Sequence, residues 1–363
     1  MAASAGTAAA PRRVRARPPG AWIVRARAWD VSLRLDAPAL TVGTAMAALA
    51  AAALVLSLTM GDFPVEPREV VRALTGGTAD PMVNHIVVQM RLPRALTAAG
   101  VGAALAMSGM LLQRLAHNPL VSPDVIGINA GAAAAATAAI AVLGGTALQV
   151  AGFALGGAVA TAVLLYLLAY QRGVSGNRLV LLGIGVSAVL GSVTSYMITR
   201  ADIDTAQRAT VWLTGSLANR DWAHVATIAA ALAVLTPLAL GLSRQLRLLQ
   251  LGDDLAVALG GRVRLARGGL LLTAAGFSAL ATAVAGPVAF VALAAPQIVR
   301  RLLAERAVGI LPAAGCGAVL VLLSDALART GFGGGELPVG VVTGILGAPY
   351  LLYLLARSNR TRG

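Results

Sequence analysis

Long apolar blocks separated by short polar segments run along most of the chain. Pro287 and Pro296 interrupt one block, which a helical bundle tolerates where neighbouring helices satisfy the freed backbone groups. The others approach the roughly 20 apolar residues that a helix needs to cross hydrocarbon. The ten blocks are 39–60, 92–115, 127–143, 147–170, 178–199, 224–242, 267–284, 286–303, 309–328 and 338–356. This pattern predicts an all-α integral membrane protein with about ten transmembrane helices in one domain, residues 39–356.

Composition supports a lipid environment and narrows the chemistry. Of 363 residues, 58% are hydrophobic and 12% charged, against about 25% charged in soluble domains, which excludes an ordinary soluble enzyme. All 29 basic residues are arginine. Without lysine there is no Walker A lysine and no Schiff-base lysine. We therefore expect no ATPase site and no bound cofactor in this chain, so any ATP and Mg would be bound by partner subunits.

The arginines are distributed unequally between alternate loops. Basic residues favour short cytoplasmic loops, and a ten-helix topology with both termini cytoplasmic places 21 arginines inside and 8 outside. The predicted outer set is Arg68, Arg72, Arg91, Arg94, Arg200, Arg208, Arg220 and Arg329. Residues 1–38, rich in arginine, alanine and proline, are expected to be a disordered cytoplasmic tail beside anionic lipid and not a nucleic-acid-binding segment. Residues 357–363 form the predicted C-terminal cytoplasmic tail.

Catalytic and metal-binding patterns are absent from the sequence. The single cysteine, Cys316, lies in an apolar run, and the three histidines have no metal-ligand spacing. No catalytic residue and no metal site are predicted. The one acidic residue inside a predicted span, Asp325, precedes Arg329 by four positions, a spacing that favours a local ion pair at the outer end of a helix.

Four ordered motifs go beyond composition. The first is Arg91-Leu92-Pro93-Arg94; the others contain Asn118, Pro119, Leu120; Gly286, Pro287, Pro296; and Glu336, Leu337, Pro338, Gly340. In this order and spacing, over residues 40–356, the chain resembles the FecCD-type (BtuC-like) permease subunits of binding-protein-dependent ABC importers for iron–siderophores, haem or cobalamin. The resemblance implies a BtuC-like type II importer fold in a bacterial plasma (inner) membrane. The implied partners are a second permease copy or paralogue, two cytoplasmic ABC ATPase subunits and an extracytoplasmic substrate-binding protein.

The resemblance also assigns a role to three outer arginines. In the cobalamin importer, arginines matching Arg91, Arg94 and Arg329 pair with glutamates of the binding protein, and a guanidinium suits bidentate contact with carboxylate. The alternative is that these arginines only anchor the ends of spans at the interface.

A second carried-over site is the loop between the sixth and seventh blocks. The segment has a short amphipathic helical pattern closed by glycine, and it is similar to the coupling helix that inserts into an ATPase groove. Its residues are Leu251, Gly252, Asp253, Asp254, Leu255, Ala256, Val257, Ala258, Leu259 and Gly260. A plain solvated loop is the alternative.

Function is then expected to be transport without catalysis by this chain. The leading hypothesis is inward translocation of a ferric siderophore by alternating access, preferred over cobalamin or haem only because siderophore systems are more numerous. An ion-driven secondary transporter would need charged residues near the bilayer midplane, and these are scarce. A membrane scaffold or membrane enzyme is the remaining alternative. Co-purification of an ATPase would separate the first hypothesis from the other two.

Overall fold

A computed structural model describes residues 21–26, 31–61, 63–77, 80–170, 176–303, 309–331 and 335–360. Within these residues the chain is predominantly helical. The helices are α1 Ala37–Thr59, α2 Pro67–Thr75, α3 Pro81–Asn84, α4 Leu92–Leu115, α5 Pro123–Ile126, α6 Ile128–Leu143, α7 Ala147–Tyr170, α8 Gly176–Arg200, α9 Ile203–Leu213, α10 Trp222–Leu249, α11 Asp253–Ala258, α12 Val263–Ala285, α13 Val291–Leu302, α14 Ile310–Thr330 and α15 Val339–Arg360. A π-helical segment, His85–Arg91, joins α3 to α4 in one continuous rod.

Every predicted apolar block contains a helix, but not every helix is long enough to cross a membrane. In the described part of the chain, seven helices have the length and hydropathy to do so, and α6 and the apolar part of α15 are shorter. The block at 286–303 forms only the 12-residue α13, because 286–290 is irregular and Phe290 adopts a left-handed backbone with φ 65°. The chain is thus a multi-pass membrane protein, and ten crossings remains a prediction.

The expected disordered tail differs from the structure at residues 21–26 and 31–36. Strands β1 (Ala21–Ala26) and β2 (Val31–Asp36) pair antiparallel, with Ala21 opposite Asp36. These segments are rich in β-branched and aromatic residues, including Trp22, Ile23 and Val31, which favour strands. Residues 1–20 and 27–30 of the predicted tail lie outside the described residues, and its last two residues begin α1. At the other terminus α15 continues to Arg360, into the predicted tail 357–363, whose last three residues are also outside the description.

The core of the bundle is built on α4, α12 and α14, which are mostly buried, whereas most residues of α1, α8 and α10 are not buried. Small residues allow the central helices to approach closely. A Cβ at Gly102 of α4 would lie 2.2 Å from the Gly317 carbonyl oxygen of α14, and one at Gly109 would lie 1.7 Å from the Ala292 carbonyl oxygen of α13. The backbones of α4, α13 and α14 therefore touch where an alanine would not fit.

Candidate docking and coupling sites

The three arginines predicted to dock the binding protein lie together at one end of the bundle. Arg91 ends the π segment, Arg94 is in the first turn of α4, and Arg329 is in the last turn of α14. Because α4 packs antiparallel to α14, the start of one helix meets the end of the other. We call this the outer end, following the topology predicted from the arginines.

Asp325 is the centre of this cluster. Its carboxylate is fully buried and accepts hydrogen bonds from Arg94 Nη2 at 2.9 Å and Nε at 3.1 Å. Arg329 Nε lies 3.2 Å from the other carboxylate oxygen, which confirms the predicted i,i+4 ion pair. Arg94 Nη1 also donates to both oxygens of Glu336 at 2.9 Å. One buried acid therefore ties α4 to α14, and Glu336 adds the segment that leads into α15.

Arg91 and Arg329 hold the C-terminal end of α1. Arg91 Nη1 donates to the Leu58 carbonyl at 2.9 Å and Nη2 to that of Phe63. Arg329 donates to the carbonyls of Ser57 and Met60 at 3.1 and 3.0 Å. The last carbonyls of a helix have no partner within it, and cations are favourable near that end. Arg91 is only 8% exposed. In this conformation both arginines therefore act as caps of the C-terminal end of α1.

An outer cavity of about 720 Å³ opens beside the cluster. Its lining includes the three predicted docking arginines and Glu336. It also includes two residues that the sequence motifs do not contain, Arg220 and Asp221. Arg220 had been counted among the outer arginines, but no motif marked it. The cavity brings four arginines from three separate parts of the chain to one surface.

Asp221 is the N-cap of α10. Its carboxylate accepts from the backbone N–H groups of Ala223 and His224 at 3.0 and 3.2 Å and lies 2.6 Å from His224 Nδ1. These contacts, His224 foremost, hold the pKa of Asp221 below its ordinary value. Burial lowers the pKa of the neighbouring Arg220; Asp221 opposes this effect and Arg94 adds to it.

The predicted coupling segment occupies the opposite end of the bundle. It contains the short helix α11, preceded by Gly252 with φ 98° and followed by Gly260 with φ 77°, both left-handed conformations that favour glycine. Ala256 is fully buried, whereas the apolar side chains around it point outward, each more than half exposed: Leu251, Leu255, Val257 and Leu259. Four large apolar side chains facing out from one short loop form a surface suited to a partner protein.

Two polar contacts fix this loop to the bundle. Arg267 of α12 donates to Asp253 Oδ1 at 2.7 Å, and Arg114 at the end of α4 donates to Gln250 Oε1 at 2.7 Å. The start of the loop is thus attached to α12 and to α4, and α4 also carries Arg94 of the outer cluster. Contact of α11 with an ATPase stays a prediction.

The residues of the remaining motifs lie at helix ends and irregular joints. Asn118 Oδ1 accepts from the Leu120 N–H at 3.0 Å, and the Pro119 carbonyl accepts from Gln297 Nε2 at 3.1 Å, next to Pro296. Gln297 also donates to Gln113 of α4 at 2.6 Å. The loop after α4 is therefore fastened to α13 by buried amides.

The Gly286-Pro287 and Glu336–Gly340 motifs meet at residues 214–216, directly after the end of α9. The Gly340 N–H donates to the Gly215 carbonyl at 3.2 Å, and the Ser216 N–H donates to that of Ala285 at 2.8 Å. A Cβ at Gly340 would lie 2.0 Å from the Thr214 carbonyl oxygen. Leu337 donates from its N–H to the Ala328 carbonyl at 3.1 Å, and Pro338 follows it directly before α15. Close backbone approach therefore requires glycine at position 340.

Comparison with known proteins decides the family. The sequence profile of the FecCD transport family matches residues 49–357. The chain belongs to the FecCD transport family. This confirms the resemblance inferred from the four motifs, and it makes the chain a FecCD-type permease subunit, a transport component and not itself an enzyme.

Curated relatives of this FecCD permease cover nearly its whole length. It is 40% identical to the ferric enterobactin transport system permease protein FepG of Escherichia coli (strain K12), over 84% of this chain and 92% of the relative. It is 42% identical to the achromobactin transport system permease protein CbrC of Dickeya dadantii (strain 3937), over 88% and 93%. The Fe(3+)-citrate import system permease protein YfmE of Bacillus subtilis (strain 168) is 39% identical over 83% and 90%.

A solved structure supports the fold. The FecCD permease superimposes on a metal-chelate type ABC transporter in an inward-facing conformation with a TM-score of 0.78 and 27% sequence identity, covering 88% of this chain and 99% of the other. Neither comparison tests the roles of Arg91, Arg94, Arg329 or the coupling segment, which remain predictions.

Proposed function

We propose that this FecCD permease is the membrane subunit of an ABC importer that moves a ferric siderophore inward across a bacterial inner membrane. The observation that carries the proposal is the near full-length similarity to permeases named for ferric enterobactin, achromobactin and Fe(3+)-citrate. Those names favour a ferric chelate over cobalamin or haem, which the motifs alone left open.

Energy for transport comes, in this proposal, from two ATPase subunits that bind ATP and Mg. A chain without lysine has no Walker A motif of its own. Four exposed apolar side chains around α11 form a surface that an ATPase subunit can bind and move: Leu251, Leu255, Val257 and Leu259. Asp253 and Arg114 would transmit that movement to α12 and α4 through the 2.7 Å contacts with Arg267 and Gln250.

Cargo delivery comes from an extracytoplasmic binding protein at the outer end. We assign docking chiefly to Arg94, because Arg91 and Arg329 are occupied in capping α1. Docking would exchange the intramolecular Glu336 contact of Arg94 for a carboxylate of the binding protein. A second copy of the permease, or a paralogue, would complete the path, and alternating access would then expose it to one side at a time.

The experiment is uptake of ⁵⁵Fe by cells with and without this gene, supplied as a panel of ferric siderophores, with labelled cobalamin and haem alongside. Loss of one ferric-siderophore signal, restored by the gene, is the expected result. Loss of cobalamin or haem uptake alone would keep the importer and contradict the cargo. Loss of none of them would contradict the proposed cargo class.

A further inference from the structure

Arg220 lies where two outer cavities meet. It lines the 720 Å³ cavity with Arg94 and also a second cavity of about 480 Å³, whose wall includes Trp212 and Gly286. Among the lining residues of the described chain, Arg220 is the one that both cavities share. The rest of its wall comes from α9, Ser216 and Ala285. Arg220 therefore stands between the cavity beside Arg94 and the cavity beside Gly286.

Within the described residues Arg220 makes no direct ion pair of the kind that its arginine neighbours make. Arg94 and Arg329 share the carboxylate of Asp325. Within the described residues, Arg220 has no carboxylate within 4 Å; its Nη2 donates to the Ser216 carbonyl at 3.1 Å and Nη1 lies 3.2 Å from His224 Nε2. Its Nε is buried without a hydrogen-bond partner.

Among the described acids near Arg220 none lies within 4 Å of its guanidinium, although Asp221 acts on its charge from a greater distance. Asp221 is adjacent in sequence, but its carboxylate caps α10 and contacts His224. In the second cavity the acid Asp204 is accompanied by another arginine, Arg208. The site therefore retains a guanidinium whose N–H groups can donate to a bound oxyanion, the kind of ligand that guanidinium groups bind best.

We propose that Arg220 binds the anionic oxygens of the ferric chelate, such as carboxylate or catecholate, as the chelate passes from the 720 Å³ cavity beside Arg94 to the 480 Å³ cavity beside Gly286. Both cavities fall within the roughly 300–1,000 Å³ typical of small-ligand sites. The inference rests on the proposed function and adds a specificity: anionic chelates are admitted in preference to cationic ones. Arg220 is assigned to the cargo and not to the binding protein.

The test compares the wild-type permease with three variants of it, each assembled with the ATPase. Arg220→Gln removes the charge, and Arg220→Lys restores it on a different group. Arg200→Gln is the matched control, since Arg200 is exposed at the outer end of α8 and lines neither cavity. Three quantities are measured: the affinity for chelate-free binding protein, the maximal rate of ⁵⁵Fe-chelate uptake at saturating binding protein, and direct binding of ferric citrate (anionic) and ferrioxamine B (cationic) by calorimetry.

For Arg220→Gln we expect at least a tenfold fall in maximal uptake rate, with affinity for the chelate-free binding protein within twofold of wild type. The preference for ferric citrate over ferrioxamine B should disappear, and Arg220→Lys should recover much of both. A loss of affinity for the binding protein as large as the loss of uptake rate would overturn the assignment. Unchanged uptake together with unchanged binding of ferric citrate would also overturn it. If the wild type imports no ferric chelate, the proposed function fails, while the calorimetric comparison still decides the role of Arg220.

Discussion

Replacing Asp325 with asparagine should destabilise the permease more than any other single change in the outer cluster. The carboxylate is fully buried and lies 2.9 Å from Arg94 and 3.2 Å from Arg329. Breaking a buried ion pair by removing one partner costs about 3–5 kcal/mol, because the remaining charge is left uncompensated. Asparagine retains one acceptor oxygen, and Arg94 keeps its contact with Glu336, so we expect about 3 kcal/mol.

The assay is equilibrium unfolding of the purified permease in detergent, with Glu336→Gln as the matched control. Glu336 contacts the same arginine at 2.9 Å but is 41% exposed, and exposed ion pairs contribute at most about 1 kcal/mol. A double-mutant cycle with Arg94→Gln should show coupling to Asp325, since residues in contact are not additive. A loss for Asp325→Asn no larger than that for Glu336→Gln would refute the buried cluster as the link between α4 and α14.

Three further changes test packing, coupling and docking. Gly102→Ala should lower the free energy of unfolding by about 1–3 kcal/mol through overpacking, because its Cβ would lie 2.2 Å from a carbonyl oxygen of α14. Gly191→Ala, with open space around it, is the control and should be tolerated. Thermal unfolding compares the two variants. Leu255→Asp should abolish co-purification of the ATPase while Leu148→Asp, an exposed leucine at the start of α7, leaves it intact; equal retention would mean that α11 is not the ATPase contact. Arg94→Gln should weaken binding of the binding protein at least tenfold, since truncating one partner of an interfacial charge pair costs about 2 kcal/mol or more, and unchanged affinity would return Arg94 to a purely structural role.

Much of the fold follows from local properties of the sequence. Helix positions were predictable because long apolar blocks are stable in lipid or against one another. The prolines at 287 and 296 lie in the block that forms the shortest helix of the ten, the 12-residue α13. The pair Asp325–Arg329 was predictable because four residues make one turn of helix. The ribbon Ala21–Ala26 with Val31–Asp36 was missed because arginine and proline content outweighed a weak strand pattern.

The candidate site was only partly predictable, for physical reasons. Arg94 and Asp325 are 231 positions apart, and only the antiparallel packing of α4 on α14 brings them together. The capping of α1 by Arg91 and Arg329 depends on where that helix ends in space. Arg220 had no motif around it. Its significance arises from two cavities that meet at its side chain, one walled by α9 and Gly286 and the other by the π segment and the start of α4.

The central claim is ATP-driven import of a ferric chelate through this permease, and reconstitution tests it most directly. The permease and its ATPase are placed in lipid vesicles with the binding-protein side outward and ATP on the other side, and binding protein loaded with ⁵⁵Fe-siderophore is added. The account predicts accumulation of ⁵⁵Fe only with hydrolysable ATP and binding protein, and its loss in the Leu255→Asp variant. Accumulation that continues without ATP and follows an imposed ion gradient would contradict it.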